Sequence, residues 1–147
     1  MKLLIDADGC PVTDIALSEA LKENIACLIF CDTAHIIERE NAQTIICSKG
    51  ADSADFALLN YAEKNDIIVT GDYGLASLCL VKKTRPISQN GLIYTEENIN
   101  SLLMSRFLSK KARQAGYKTK GPSKRKPEQD EAFKKALQKL ISEVKGL

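Results

Sequence analysis

The chain has 147 residues, 44% of them hydrophobic and 27% charged, enough to close one sizeable core. No apolar run approaches the roughly 18–20 residues that span a bilayer. Net charge is +2 and the five cysteines (Cys10, Cys27, Cys31, Cys47, Cys79) show no C-x-x-C spacing, which argues against a disulfide scaffold or a zinc module.

The opening run Lys2–Ala7 reads as a strand. It meets Asp6, Asp8 and Pro11, so it does not read as a secretion signal, and a cytoplasmic protein is expected. Pro11 suits the first turn of a helix with a stripe of Ile15, Leu17, Ala20 and Leu21. Residues 25–31 are continuously apolar, as in a strand buried on both faces. A short helix is expected near His35–Glu40 and a strand at 43–47. Ser53–Lys64 predicts an amphipathic helix with Ala54, Ala57, Leu58 and Tyr61 inward. A strand at 67–70 and a helix at about 74–82 follow. Gln89-Asn90-Gly91 is a turn signal inside Pro86–Tyr94, read as a small strand or hairpin. A helix from Glu96 to Gln114 leads into the Gly/Pro-punctuated, basic stretch 116–127. The last helix, about Glu128–Val144, carries Phe133, Ala136, Leu137, Leu140, Ile141 and Val144 on one stripe. That stripe must dock on the body or on a second copy, so a homodimer is open. The expected organisation is an α/β domain over 1–115, with a mostly parallel central sheet and helices on both faces, and a C-terminal extension over 116–147.

Charge is lopsided. Residues 1–100 carry a balance of −7 and residues 101–147 a balance of +9. Arg106, Lys110, Lys111, Arg113, Lys118 and Lys120 belong to a stretch without acids and are candidate contacts to a nucleic-acid backbone. With only Phe107 and Tyr117 among them, phosphate contacts are expected over base stacking.

The acids fall where strands end. Asp6 and Asp8 close the first apolar run, Asp72 follows the run at 67–69, and Asp52 and Asp55 open a helix. In parallel sheets the carboxyl ends of the strands share one edge, where ligands bind. Carboxylates gathered there call for a hard divalent cation, Mg²⁺ or Mn²⁺. Each also has a plainer explanation. Asp72 suits an N-cap, and Asp52-Ser53-Ala54-Asp55 has a capping-box layout. His35, the only histidine, reads more readily as a surface or packing residue than as a ligand.

Three segments, Leu3-Leu4-Ile5-Asp6-Ala7-Asp8-Gly9-Cys10-Pro11-Val12, Gly50-Ala51-Asp52-Ser53-Ala54-Asp55 and Val69-Thr70-Gly71-Asp72-Tyr73-Gly74-Leu75-Ala76, resemble the YaiI/YqxD family of bacterial proteins. Lys120-Gly121-Pro122 and Phe133…Leu137 continue the match. That family is similar to PIN-like domains, metal-dependent ribonucleases on a small parallel sheet. The resemblance implies a three-layer PIN-like fold with Asp6, Asp72 and Asp55 or Asp52 at the metal. Glu40 or Asp8 stands nearest to the acid that PIN domains add on an early helix. The expected activity is Mg²⁺- or Mn²⁺-dependent cleavage of RNA or single-stranded nucleic acid. Two other readings are a non-catalytic nucleic-acid-binding module and a haloacid-dehalogenase-like phosphatase, whose motif wants Thr or Val where Cys10 follows Asp6-Ala7-Asp8-Gly9.

Overall fold

The computed structural model describes residues 1–48, 53–119 and 124–146. Strands and helices alternate as β1 (Lys2–Asp6), α1 (Thr13–Lys22), β2 (Ala26–Asp32), β3 (Gln43–Cys47), α2 (Ser53–Tyr61), β4 (Ile67–Val69), α3 (Tyr73–Val81) and β5 (Arg85–Ile87), then α4 (Glu96–Gln114) and α5 (Pro127–Lys145). The five strands form one parallel sheet in the order β3-β2-β1-β4-β5. The fold is a three-layer α/β sandwich.

The layers follow from strand periodicity. Alternate side chains of a strand point to opposite faces, so Leu3 and Ile5 of β1 join one core while Leu4 joins the other. The first core takes Ala16 and Ala20 of α1 and Phe133, Leu137, Leu140 and Ile141 of α5. The second takes Leu58 of α2 and Leu75 and Cys79 of α3. Tyr94 and Ile99 then seat α4 on α3. The C-terminal stripe therefore docks on its own chain. A turn beside β5 helps to hold it. A Cβ on Gly91, which has φ +87°, would lie 2.6 Å from the Ala132 carbonyl oxygen, so only glycine fits between turn and helix. The Arg125 guanidinium bonds Gln89 O, Asn90 Oδ1 and Asp130 Oδ1, each at 2.8 Å.

Pro86–Tyr94 holds the small strand, as β5 pairs in parallel with β4, and after the turn at Gln89-Asn90-Gly91 the returning chain makes one antiparallel bridge, Ile87 to Ile93. Three local expectations fail. Residues 35–40 form no helix; the Asp32 carboxylate accepts the Ala34 and His35 amides at 2.8 Å and sets a turn instead. Leu21 is 56% exposed, because the inward face of α1 is set by Ala16, Leu17 and Ala20. Tyr61 is 45% exposed and lies edge-to-face with buried Phe30, their ring centroids 5.6 Å apart. Among the described residues, no helix is long and apolar enough to cross a membrane.

Candidate metal centre

The sheet sends the ends of β1, β2 and β4 to one edge. Asp6 is the last residue of β1, Asp32 the last of β2, and Asp72 follows β4 by three residues. The start of α2 faces the same edge. A cleft of about 250 Å³ opens there, lined by Asp6, Asp8, Asp32, Asp55 and Asp72 with Cys31, Ser48 and Ala54. Four of the five carboxylates are those expected from the sequence. Asp52 and Lys120 lie outside the described residues.

Asp32, at the end of β2, is the cleft acid not expected from the sequence. The signal was present, because Asp32 ends the apolar run 25–31 just as Asp6 ends the first. Of the two candidates for the further acid, Glu40 is not among the cleft-lining residues and Asp8 is. Asp32 Oδ1 accepts two amides, and His35 Nδ1 lies 3.3 Å from it and 3.7 Å from Asp8 Oδ1. Partial desolvation opposes ionisation of Asp32, but the His35 and Ala34 amides and the His35 ring outweigh it and hold the carboxyl below the ordinary range. One ligand atom each from Asp8, Asp32 and His35 fall within 4.8 Å of one another, which brings the single histidine to the rim of the carboxylate cluster.

Asp6 is held firmly. Thr70, fully buried, donates its hydroxyl to Asp6 Oδ2 at 2.8 Å, and the same Oγ1 accepts the Asp72 amide at 3.0 Å. Tyr94 Oη donates to Thr70 O at 3.1 Å. Burial pushes the Asp6 carboxyl above its ordinary range; the Thr70 bond opposes this, and the charges of Asp72 and Asp8 add to it. Asp72 does cap α3: its Oδ1 accepts the Gly74 and Leu75 amides at 2.8 and 3.1 Å. Capping occupies one oxygen, so cap and cleft wall coexist. Burial also raises the Cys10 thiol, and Asp6 adds to this, which disfavours a thiolate nucleophile.

An all-oxygen set of carboxylates is the donor chemistry of Mg²⁺ and Mn²⁺, and the imidazole at its rim is a donor that Mn²⁺ takes more readily than Mg²⁺. Among the described residues that line the cleft there is no Lys or Arg to neutralise the acids. The residues present thus fit a divalent cation.

Of the candidate nucleic-acid contacts, Arg106, Lys110, Lys111 and Arg113 lie on the exposed second half of α4, and Lys118 is exposed beyond it. None of these five pairs with an acid among the described residues. Arg106 places its guanidinium 4.8 Å over the ring of Tyr73, so the basic helix reaches the residue next to Asp72 of the cleft.

The molecule is thus a parallel α/β protein with a carboxylate cleft at the C-terminal edge of its sheet. A family model described as "Uncharacterized BCR, YaiI/YqxD family" matches residues 4–143. A UPF0178 protein of Exiguobacterium sibiricum is 44% identical over 143 residues, covering 97% of this chain and 98% of that one. Those of Clostridium acetobutylicum (43% identical, 96% and 97% covered) and Natranaerobius thermophilus (41%, 99% and 99%) are similar throughout. The chain belongs to the YaiI/YqxD family. No solved structure matches it at a significant level.

Proposed function

We propose that this protein is a PIN-like, Mg²⁺- or Mn²⁺-dependent phosphodiesterase that cleaves RNA or single-stranded nucleic acid. The observation that carries the reading is the cleft itself, five carboxylates from three strand ends, the β1–α1 connection and a helix start, with no cationic side chain among its described lining residues. Structural capping accounts for one oxygen of Asp72 and one of Asp32, and not for Asp6 or for the convergence.

In this reading Asp6, Asp55 and Asp72 hold one or two ions, with Asp8 and Asp32 beside them. Bound there, the ion supplies a polarised phosphate and a water of lowered pKa. Thr70 fixes the Asp6 carboxylate in one orientation, and Tyr94 fixes the Thr70 backbone. Asp8, with a side chain 62% exposed, is open to take the proton that the attacking water loses as the phosphorus–oxygen bond to the leaving strand breaks. Arg106, Lys110, Lys111, Arg113 and Lys118 hold the backbone phosphates.

The test is cleavage of a labelled single-stranded RNA by the full chain in Mn²⁺, with EDTA and Asp6→Asn as controls. Mn²⁺-dependent cleavage that disappears in the variant supports the reading. A folded protein that binds the RNA and leaves it intact at high concentration overturns it in favour of a non-catalytic binding module.

A further inference from the structure

The face of α4 that packs on the body continues past the end of that packing. Ile99, Leu102 and Leu103 seat the helix in a cluster with Tyr73, Ala76 and Tyr94. The next position on their stripe, two turns after Ile99, is Arg106, and Lys110 and Arg113 follow one and two turns on. The three cations therefore share the face that seats the helix. Lys111 does not. It falls on the outward side with Phe107 and Leu108, and its ammonium lies 5.6 Å over the Phe107 ring. An apolar seat thus runs on as a basic ridge.

Arg106 is the root of that ridge and is held differently from the rest. Its guanidinium lies 4.8 Å over the half-buried ring of Tyr73, the neighbour of Asp72. Tyr73 meets Tyr94 edge-on at 5.9 Å, and Tyr94 bonds the carbonyl of Thr70, whose hydroxyl holds Asp6. Burial pushes the Tyr94 hydroxyl up; Tyr73 and Asp72 add to this and Arg106 opposes it, so the cation and a cleft acid act on one phenol. Stacking covers a face of the guanidinium and leaves its N–H edge, which pairs with no acid among the described residues. Such a planar fork of donors matches a phosphate. Packing alone does not call for it, since an apolar side chain at this position would continue the stripe.

We infer that Arg106, positioned by Tyr73, clamps the phosphate next to the one at the cleft, and that Lys110 and Arg113 lead the strand away along the ridge. The inference rests on the nucleic-acid part of the reading above. It adds a contact that sets the register of the strand and leaves Lys111 off its path.

The experiment uses the full chain in Ca²⁺ and follows displacement of a fluorescein-labelled oligouridylate by anisotropy. The competitors are UpU, with one phosphodiester, and UpUpU, with two. The wild type is expected to bind UpUpU at least about tenfold tighter, the lower end for a hydrogen bond to a charged group. Arg106→Gln should lose most of that gain, whereas Lys111→Gln should keep it. Tyr73→Leu removes the ring beneath the guanidinium and should cut the gain by roughly two- to fivefold; Tyr73→Phe should keep it. On the labelled strand itself, the log–log salt slope should fall by about 0.7 in Lys110→Gln and in Arg113→Gln and stay unchanged in Lys111→Gln. A gain that survives in Arg106→Gln, or is lost equally in Lys111→Gln, overturns the inference. Equal salt slopes in Lys110→Gln and Lys111→Gln overturn the ridge. An Arg106-dependent gain in a protein that leaves RNA intact supports the inference while overturning hydrolysis. Cleavage without such a gain overturns the inference and leaves hydrolysis standing.

Discussion

Asp6→Asn separates a carboxylate needed for metal from one needed for folding. In the metal-free protein Asp6 is half-buried beside Asp8 and Asp72, and both raise its pKa together with burial. Asparagine keeps an oxygen for the Thr70 hydroxyl, 2.8 Å from Asp6 Oδ2, and removes the charge. Relief of one unfavourable charge is worth roughly 0.5–2 kcal/mol, about 1–8 °C of Tm in a domain of this size. Asp6→Ala removes the acceptor as well and leaves the buried Thr70 hydroxyl unpaired at a cost of about 1–3 kcal/mol, so it should gain little or lose. Mn²⁺ at a hundred times its Kd should stabilise the wild type by about 2.7 kcal/mol, roughly 5–11 °C, and should shift neither variant comparably. The assay is thermal unfolding in EDTA and in Mn²⁺. Because the folded pKa of Asp6 is raised, the unfolded chain loses its proton first, and wild-type stability in EDTA falls as pH rises from the ordinary value of 3.8 through the folded pKa. The advantage of Asp6→Asn should therefore shrink as pH drops below that value. Asp6→Asn less stable than wild type in EDTA at neutral pH, or an undiminished Mn²⁺ shift in it, would refute the reasoning.

Thr70→Val keeps shape and deletes the hydroxyl that joins Asp6 to the Asp72 amide. It should cost about 1–2 kcal/mol by urea titration and weaken Mn²⁺ binding by roughly 10–100-fold by calorimetry. Asp66 is buried and accepts the Lys2 amide at 2.8 Å, the Glu63 amide at 2.9 Å and the Lys2 ammonium at 3.0 Å. Asp66→Ala should destabilise by about 2–3 kcal/mol, with no change in the Kd for Mn²⁺. His35→Asn should weaken Mn²⁺ more than Mg²⁺, since only the softer ion gains from imidazole; equal losses in two calorimetric titrations would remove His35 from the site. Lys110→Glu with Lys111→Glu should flatten the salt dependence of RNA binding, by about 0.7 in the log–log slope for each phosphate that the variant no longer neutralises.

The sheet was legible because buried parallel strands leave continuous apolar runs, and β2 and β4 both end where those runs end. The site is legible through the same rule, and Asp32 obeys it too, as the last residue of the strand that carries the second apolar run. Residues 35–40 suit a helix by their polar-apolar spacing, yet the Asp32 carboxylate takes the amides two and three residues on and sets a local turn that competes with it. Thr70 and Tyr94 were hidden, since their roles depend on a hydroxyl reaching a strand 64 residues away and a ring reaching back 24. Nor does periodicity say which apolar residue is left outside: Tyr61 fits the inward stripe of α2 and is 45% exposed.

The arrangement explains why the acids can be crowded without loosening the fold. β1 is the central strand, and Leu3, Leu4 and Ile5 before Asp6 are almost fully buried against neighbours on both sides. Asp6 thus follows three buried residues of the central strand, and repulsion from Asp8 and Asp72 acts against a packed sheet and not against a hinge. Asp8 and His35, by contrast, sit on connections with side chains 62% and 64% exposed. On the function proposed above, acids at strand ends would fix where a cation sits, and those on connections would adjust as charge at the phosphate changes. If that division holds, hydrogen exchange should show β1 among the best protected segments in EDTA and Mn²⁺ alike. Added protection from Mn²⁺ should be confined to the β1–α1 connection and the residues after β2. Ion-induced protection spread evenly across the sheet would mean that the metal orders the fold itself.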